Sequence, residues 1–169
     1  MPSYKKNKIL TRPVNVTRAD TLRIAIVVSE YNPDITEALY KGCRSTLLQH
    51  GIQQDNIYRL DVPGAFELPL GAKLIHDQLK PHAVICLGCV ITGETRHSEY
   101  INHAVAGELM RLSLDNNKPF VFGLLTPEND RQAQDRAGGK YGNKGVEAAT
   151  AALKMISAQQ EIKSFGKNK

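Results

Sequence analysis

The sequence predicts an α/β domain in which a four-stranded parallel sheet is covered by helices on both faces. Three observations carry this. Four short runs of apolar, often β-branched residues recur along the chain, each pair separated by 20 residues or more, too far apart for hairpins. Between them, apolar residues return at spacings of three and four, the helical period. The chain has 169 residues, 41% hydrophobic and 23% charged, which is the size and composition of one ordinary globular domain.

The first run, LRIAIVV at 22–28, reads as a strand buried on both faces. A helix follows from Asn32-Pro33, with Ile35, Ala38, Leu39, Gly42 and Cys43 as its apolar positions and Asn32 as the expected capping side chain. The second run is NIYRLDV at 56–62, and the helix after it carries the apolar pair Leu70 and Leu74. The third, AVICLGCVI at 83–91, precedes a helix marked by Tyr100, Ile101, Ala104, Val105, Glu108, Leu109 and Leu112. After the fourth, FVFGLLT at 120–126, Thr126-Pro127 is expected to cap and open a further helix that carries Arg136. A last helix spans about 143–160 on Val146, Ala149, Leu153 and Ile156. Gly51, Gly138 and Gly145 are expected at helix ends or turns. The organisation is therefore an N-terminal arm at 1–21, one domain at 22–160 and a basic C-terminal tail at 161–169.

A net charge of +5 invites a nucleic-acid reading, but its distribution argues against one. Residues 1–23 hold six Lys or Arg against Asp20, and residues 161–169 hold three lysines against Glu161. The domain between them carries 13 basic and 15 acidic residues, a net of −2. The basic character belongs to the two ends, and no nucleic-acid partner is expected. No apolar run approaches a membrane span, and Lys5, Lys6 and Lys8 are not followed by the apolar stretch of a secretory signal. A cytoplasmic location without membrane attachment is expected. Three cysteines form no disulfide framework.

Ligands of open parallel sheets bind beyond the carboxyl ends of the strands, so the chemistry is sought there. The first strand is followed by Ser29-Glu30-Tyr31-Asn32-Pro33, which lacks the glycines of a dinucleotide fingerprint. It offers Tyr31, either a stacking platform for a flat ring or a surface tyrosine over the sheet edge. The second leads into Pro63-Gly64-Ala65-Phe66-Glu67, where Glu67 could hold a hydroxyl-rich ligand or simply favour a helix start. The third leads into Gly93-Glu94-Thr95-Arg96-His97. With Thr95 as a cap, His97 falls in the first helical turn, placed to exchange a proton or to serve a structural role. Beyond the fourth, Arg136, three glycines and Lys144 form either an anion site or a solvated linker. Cys86 and Cys89 have C-x-x-C spacing but lie in one strand, where residues three apart point to opposite faces. They read as core, and the histidines lack metal-ligand spacing, so no metal is expected.

Taken together, Tyr31-Asn32, Val62-Pro63-Gly64-Ala65-Phe66-Glu67-Leu68-Pro69, Leu87-Gly88-Cys89-Val90-Ile91 with Gly93-Glu94-Thr95 and His97, Gln132-Ala133 with Arg136-Ala137-Gly138, and Asn143-Lys144-Gly145 with Glu147-Ala148-Ala149 resemble the 6,7-dimethyl-8-ribityllumazine synthase family. The resemblance runs in order from about 22 to 157. It implies a flavodoxin-like three-layer fold and the penultimate step of riboflavin biosynthesis. That step condenses 5-amino-6-(D-ribitylamino)uracil with 3,4-dihydroxy-2-butanone 4-phosphate, losing phosphate and water, without a cofactor.

Residue by residue, the resemblance implies that Tyr31 stacks on the ring, Glu67 holds the ribityl chain and His97 moves protons. It further implies that Ala65, Phe66, Cys89, Val90, Ile91 and Phe122 line the ribitylaminouracil pocket, with Asn32 beside them. Glu94, Thr95 and Arg136 would hold the butanone phosphate, with Lys144 nearby. The chain departs from the family pattern at Tyr31, where phenylalanine or tryptophan is usual, at Thr92, where a basic residue is common, and at Ser98, where an aromatic is frequent. The family also implies a homo-oligomer, a pentamer with sites between adjacent subunits, extending in some members to hollow shells of sixty. A shell is expected here, with residues 9–17 adding a strand to a neighbour's sheet and riboflavin synthase as a candidate partner. Two other functions remain: a non-catalytic flavin- or lumazine-binding scaffold of the same fold, and an aldolase forming a Schiff base at Lys144.

Overall fold

Four apolar runs become the four parallel strands expected: β1 (Ile24–Ser29), β2 (Ile57–Val62), β3 (Ala83–Cys89) and β4 (Phe120–Leu125). The computed structural model describes residues 13–166, and within it the sheet order is β2-β1-β3-β4. β1 and β3 occupy the middle and are buried at every position, which is why neither shows a polar alternation in sequence. The register pairs Ile24 with both Ile57 and Ala83, and Val84 with Phe120.

The strand pleat sends alternate side chains into two cores. Ile24, Ile26 and Val28 of β1 and Ile85 and Leu87 of β3 pack under α1 (Pro33–Gln49) and α5 (Lys144–Phe165). Ala25 and Val27 of β1 and Val84 and Cys86 of β3 pack under α2 (Leu68–Leu79) and α3 (His97–Asn116). Burying apolar area on both faces supplies the main favourable term for a domain of this size. Cys86 and Cys89 indeed fall into opposite cores, and burial pushes the Cys89 thiol up to about 11 and those of Cys43 and Cys86 higher still. All three are free thiols.

Several local expectations are corrected. Edge strand β2 is only half-buried, with exposed Arg59 donating both to Asp61 on its own strand and to Glu37 of α1 and lying 4.3 Å over the Tyr40 ring. Thr126-Pro127 does not open a helix. The Pro127 carbonyl accepts the Thr92 N–H at 2.9 Å, which ties this irregular stretch to the loop after β3. The helix begins later as α4 (Asp130–Arg136), capped by Asn129, whose Oδ1 accepts the Gln132 N–H at 3.0 Å. A short antiparallel pair follows, β5 (Ala137–Gly139) and β6 (Gly142–Asn143), with Gly138 and Gly142 at positive φ. Gly145 falls at a helix end as expected, in the first turn of α5, where it is pressed against the Leu39 carbonyl of α1. Helix α5 runs to Phe165, five residues past the expected end.

On α2 the pair Leu70 and Leu74 faces outward, 61% and 58% exposed, while Leu68, Gly71, Ala72 and His76 face the sheet. Of the expected arm, residues 1–12 lie outside the described residues, as do 167–169 of the tail. Val14 and Val16 pack against the α1/α5 core, and Thr17 exchanges two 3.0 Å hydrogen bonds with the Gln160 side chain.

Candidate active site

Beyond Ser29 the chain must turn from a buried strand into α1 within four residues. Asn32 makes the turn in the left-handed conformation, φ 55° and ψ 59°, which asparagine tolerates better than most residues. Its side chain does not cap α1. Instead Nδ2 donates to the Cys89 carbonyl at 2.9 Å, tying the end of β1 to the end of β3. The Asn32 carbonyl accepts the N–H groups of Ile35 and Thr36, both at 3.0 Å. This brace leaves Tyr31 on the crest of the turn, 73% exposed.

At the end of β2, Pro63-Gly64 leads into a 3₁₀ turn, Ala65–Glu67, and directly into α2. Ala65 is buried, while Phe66 stands out with 61% of its surface exposed. Gly64 lies so close under Glu67 that a Cβ there would be 3.0 Å from Oε2. Glycine at this position makes room for the carboxylate. At the end of β3, pairing with the β4 side continues through the Val90 N–H to the Leu125 carbonyl at 2.9 Å, and the exposed stretch 92–96 then leads into α3. His97 is the first residue of α3, and its backbone N–H donates to Thr95 Oγ1 at 3.4 Å.

These three turns enclose an open pocket of about 670 Å³. Tyr31, Asn32, Ala65, Phe66, Glu67, Cys89, Val90, Ile91 and His97 all line it. So do Gly64, Tyr100 and Ile101, which sequence reasoning did not assign to a site. Tyr100 and Ile101 read as part of the apolar stripe of α3, yet Tyr100 is 72% exposed. Their position one turn after His97 was the signal available, since side chains three and four apart share a helix face. The pocket thus joins exposed aromatic faces, one carboxylate and one imidazole. Such a set can stack a flat ring, accept hydrogen bonds from hydroxyls and transfer a proton.

Five expected residues do not line this pocket. Glu94 and Thr95 stand in the exposed stretch between Ile91 and His97. Phe122 is half-buried on edge strand β4, packed against the α2/α3 core. Arg136 and Lys144 meet at a separate place, around Glu147 of α5. Arg136 donates from Nη1 to Glu147 Oε1 at 2.8 Å and from Nη2 to Oε2 at 2.9 Å, and Lys144 Nζ lies 3.7 Å from Oε2. Burial pushes the Glu147 carboxyl up, but the hydrogen bonds and charge of Arg136, with Lys144 behind them, outweigh burial and hold it below the usual range. Among the described residues no group of three or more His, Cys, Asp or Glu side chains could hold a metal ion. No helix among them is long and apolar enough to cross a membrane.

Residues 21–160 match the family described as 6,7-dimethyl-8-ribityllumazine synthase. The chain is 55% identical over 132 residues to the 6,7-dimethyl-8-ribityllumazine synthase of Cytophaga hutchinsonii, covering 78% of this chain and 83% of that protein. Proteins of the same description from Parabacteroides distasonis and Porphyromonas gingivalis are 46% identical over 143 residues and 48% identical over 139 residues. Those matches cover 85% and 82% of this chain and 89% and 86% of the relatives.

Proposed function

The chain belongs to the 6,7-dimethyl-8-ribityllumazine synthase family, a transferase family of riboflavin biosynthesis, and from that premise we propose how its residues perform the reaction. The enzyme condenses 5-amino-6-(D-ribitylamino)uracil with 3,4-dihydroxy-2-butanone 4-phosphate. The observation that carries the site assignment is the convergence of Tyr31, Phe66, Glu67 and His97 on one pocket at the carboxyl ends of β1, β2 and β3.

The pyrimidine ring stacks on Tyr31, and the apolar wall of Ala65, Phe66, Val90 and Ile91 excludes water around it. Glu67 accepts hydrogen bonds from the ribityl hydroxyls, with Asn32 and Cys89 holding the floor between the two strand ends. The amine attacks the ketone, and loss of water gives an imine. A proton then leaves the neighbouring carbon and phosphate departs from the next one. The enol left behind takes up a proton to become a ketone with a new methyl group, and the ribityl-bearing nitrogen closes the ring on that carbonyl with loss of a second water. His97, at the pocket rim, moves the protons of these steps. Both reactants held together account for much of the acceleration, and proton transfer contributes about 10²- to 10⁴-fold.

The phosphate end of the second substrate meets Glu94, Thr95 and Arg136, with Lys144 adding charge. Arg136, Lys144 and Phe122 reach the pocket of an adjacent subunit, a reading supported by their position outside the pocket of their own chain. A multimer is further supported by Leu70 and Leu74 on α2 and Met110 and Leu114 on α3, all large, apolar and outward-facing on one helical layer. The pentamer is the proposed unit, the sixty-subunit shell its larger form, and riboflavin synthase its partner.

The test is direct. The purified protein is mixed with both substrates and lumazine absorbance is followed for wild type and His97→Ala. Product from wild type, formed more slowly but still formed by H97A, is the expected result. Ligand binding without product would make the chain a non-catalytic binder, and borohydride trapping at Lys144 would make it an aldolase. A sedimentation mass near five subunits would exclude the shell, and a monomer mass would exclude both assemblies.

A further inference from the structure

We propose that Glu147 is the positioning residue for phosphate recognition, acting through Arg136. The proposal rests on the assignment of Arg136 to the butanone phosphate made above. Arginine recognises phosphate through a planar fork whose value depends on its orientation. A long side chain loses that orientation unless something fixes the plane. Glu147 fixes it with two nearly equal bonds, 2.8 and 2.9 Å, one to each terminal nitrogen. The Tyr141 carbonyl adds a third constraint on Nη1 at 2.6 Å. Glu147 is itself 8% exposed and stands in the first turn of α5, so it moves only if the helix moves. The same carboxylate approaches Lys144, so one anion organises two cations on neighbouring elements. Glu147 is two residues from Gly145, where α5 is wedged against α1, so the backbone carrying the carboxylate is held by packing.

The experiment compares Glu147→Ala, Glu147→Gln, Arg136→Ala and the double variant by two-substrate kinetics. Thermal melting and equilibrium binding of the ribitylaminouracil substrate accompany each. The KM for the butanone phosphate is expected to rise about tenfold or more in E147A, the scale of losing charge-assisted hydrogen bonds. It rises less in E147Q, which keeps one oxygen acceptor. The KM for ribitylaminouracil stays within about twofold of wild type in both, a split that general loosening of the fold would not give. Because Glu147 acts mainly through Arg136, the double variant is expected to lose less than the sum of the two single losses. If E147A does not fold, E147Q carries the same split.

Three results overturn the proposal: equal rises in both KM values, an unchanged KM for the butanone phosphate in E147Q and E147A, or losses in E147A and R136A that simply add. Failure of the underlying reading looks different. Wild type would then form no lumazine, or R136A would leave the butanone phosphate KM untouched.

Discussion

Replacing Gly145 by alanine tests the wedge between α1 and α5. In the interior of a free helix the change is favourable, by roughly 0.5–1 kcal/mol, because glycine loses more backbone freedom on folding. Here the added Cβ would run into the Leu39 carbonyl oxygen and come 2.7 Å from the carbonyl carbon, both rigid backbone atoms of α1. Nor can the helices part freely, since Asn143 Nδ2 donates to the Ala38 carbonyl at 3.0 Å and Asn143 Oδ1 caps the N–H of Gly145 at 2.8 Å. Overpacking of this kind costs about 1–3 kcal/mol, and a backbone collision belongs at the upper end. About 3 less about 1 leaves a net loss of about 2 kcal/mol, or a fall of about 4–8 °C in Tm for a chain of this length. The assay is thermal melting of wild type and G145A at one protein concentration, because association makes Tm concentration-dependent. Gly93→Ala, where an added Cβ meets nothing within 4 Å, is the control and should melt within about 1 °C of wild type. A G145A protein that melts at or above wild type would refute the wedge and the rigidity of α5 inferred from it.

His97→Ala should lower kcat by about 10²- to 10⁴-fold while residual turnover persists, measured by lumazine absorbance; a rate equal to wild type removes His97 from proton transfer. Leu70→Asp together with Leu74→Asp should reduce the sedimentation mass, because two charges would have to be buried where two leucines now face outward. An unchanged mass would place the subunit contact elsewhere. His76 is 4% exposed against Phe120, and burial first, then Lys118 and Lys80, depress its pKa despite the opposing hydrogen bond to Asp77. The folded state therefore resists a proton that the unfolded chain accepts, so stability falls as pH drops below about 6.5. Urea titrations should show this loss in wild type and a flatter profile in His76→Gln. The depressed carboxyls of Glu37, Asp77 and Glu147 add their own loss only further into acid, as pH falls through their folded values.

The strands and their order of use were legible because a parallel sheet covered on both faces writes itself as uninterrupted apolar runs. The pocket floor was legible for the related reason that ligand-facing turns must follow those runs. Helix faces were read less well. Leu70 and Leu74 have the spacing of a core stripe and face outward, because the sheet side of α2 is built from Leu68, Gly71, Ala72 and His76. Periodicity reports that a face is apolar and not which neighbour covers it. Capping was misjudged at Asn32 and Thr126, where distant carbonyl and amide groups from the loop and strand of another segment compete for the backbone or side chain. Glu147 stands in the motif that carries the family resemblance but without a role of its own, and its pairing with Arg136 emerges only when α4 and α5 are brought together.

In the proposed assembly, where the aromatic pocket of one chain is completed by the Arg136 cluster of its neighbour, inheritance of the activity would follow junctions and not chains. A gene copy damaged at His97 and another damaged at Arg136 each encode a subunit with one sound half. Where the sound halves adjoin in such a mixed assembly, a complete site would be restored, so the two alleles would complement each other although each alone is impaired. A damaged copy expressed beside an intact one removes sites in proportion to the faulty junctions it creates. The dose of each allele, read as enzyme activity, then reports how many neighbours every site requires.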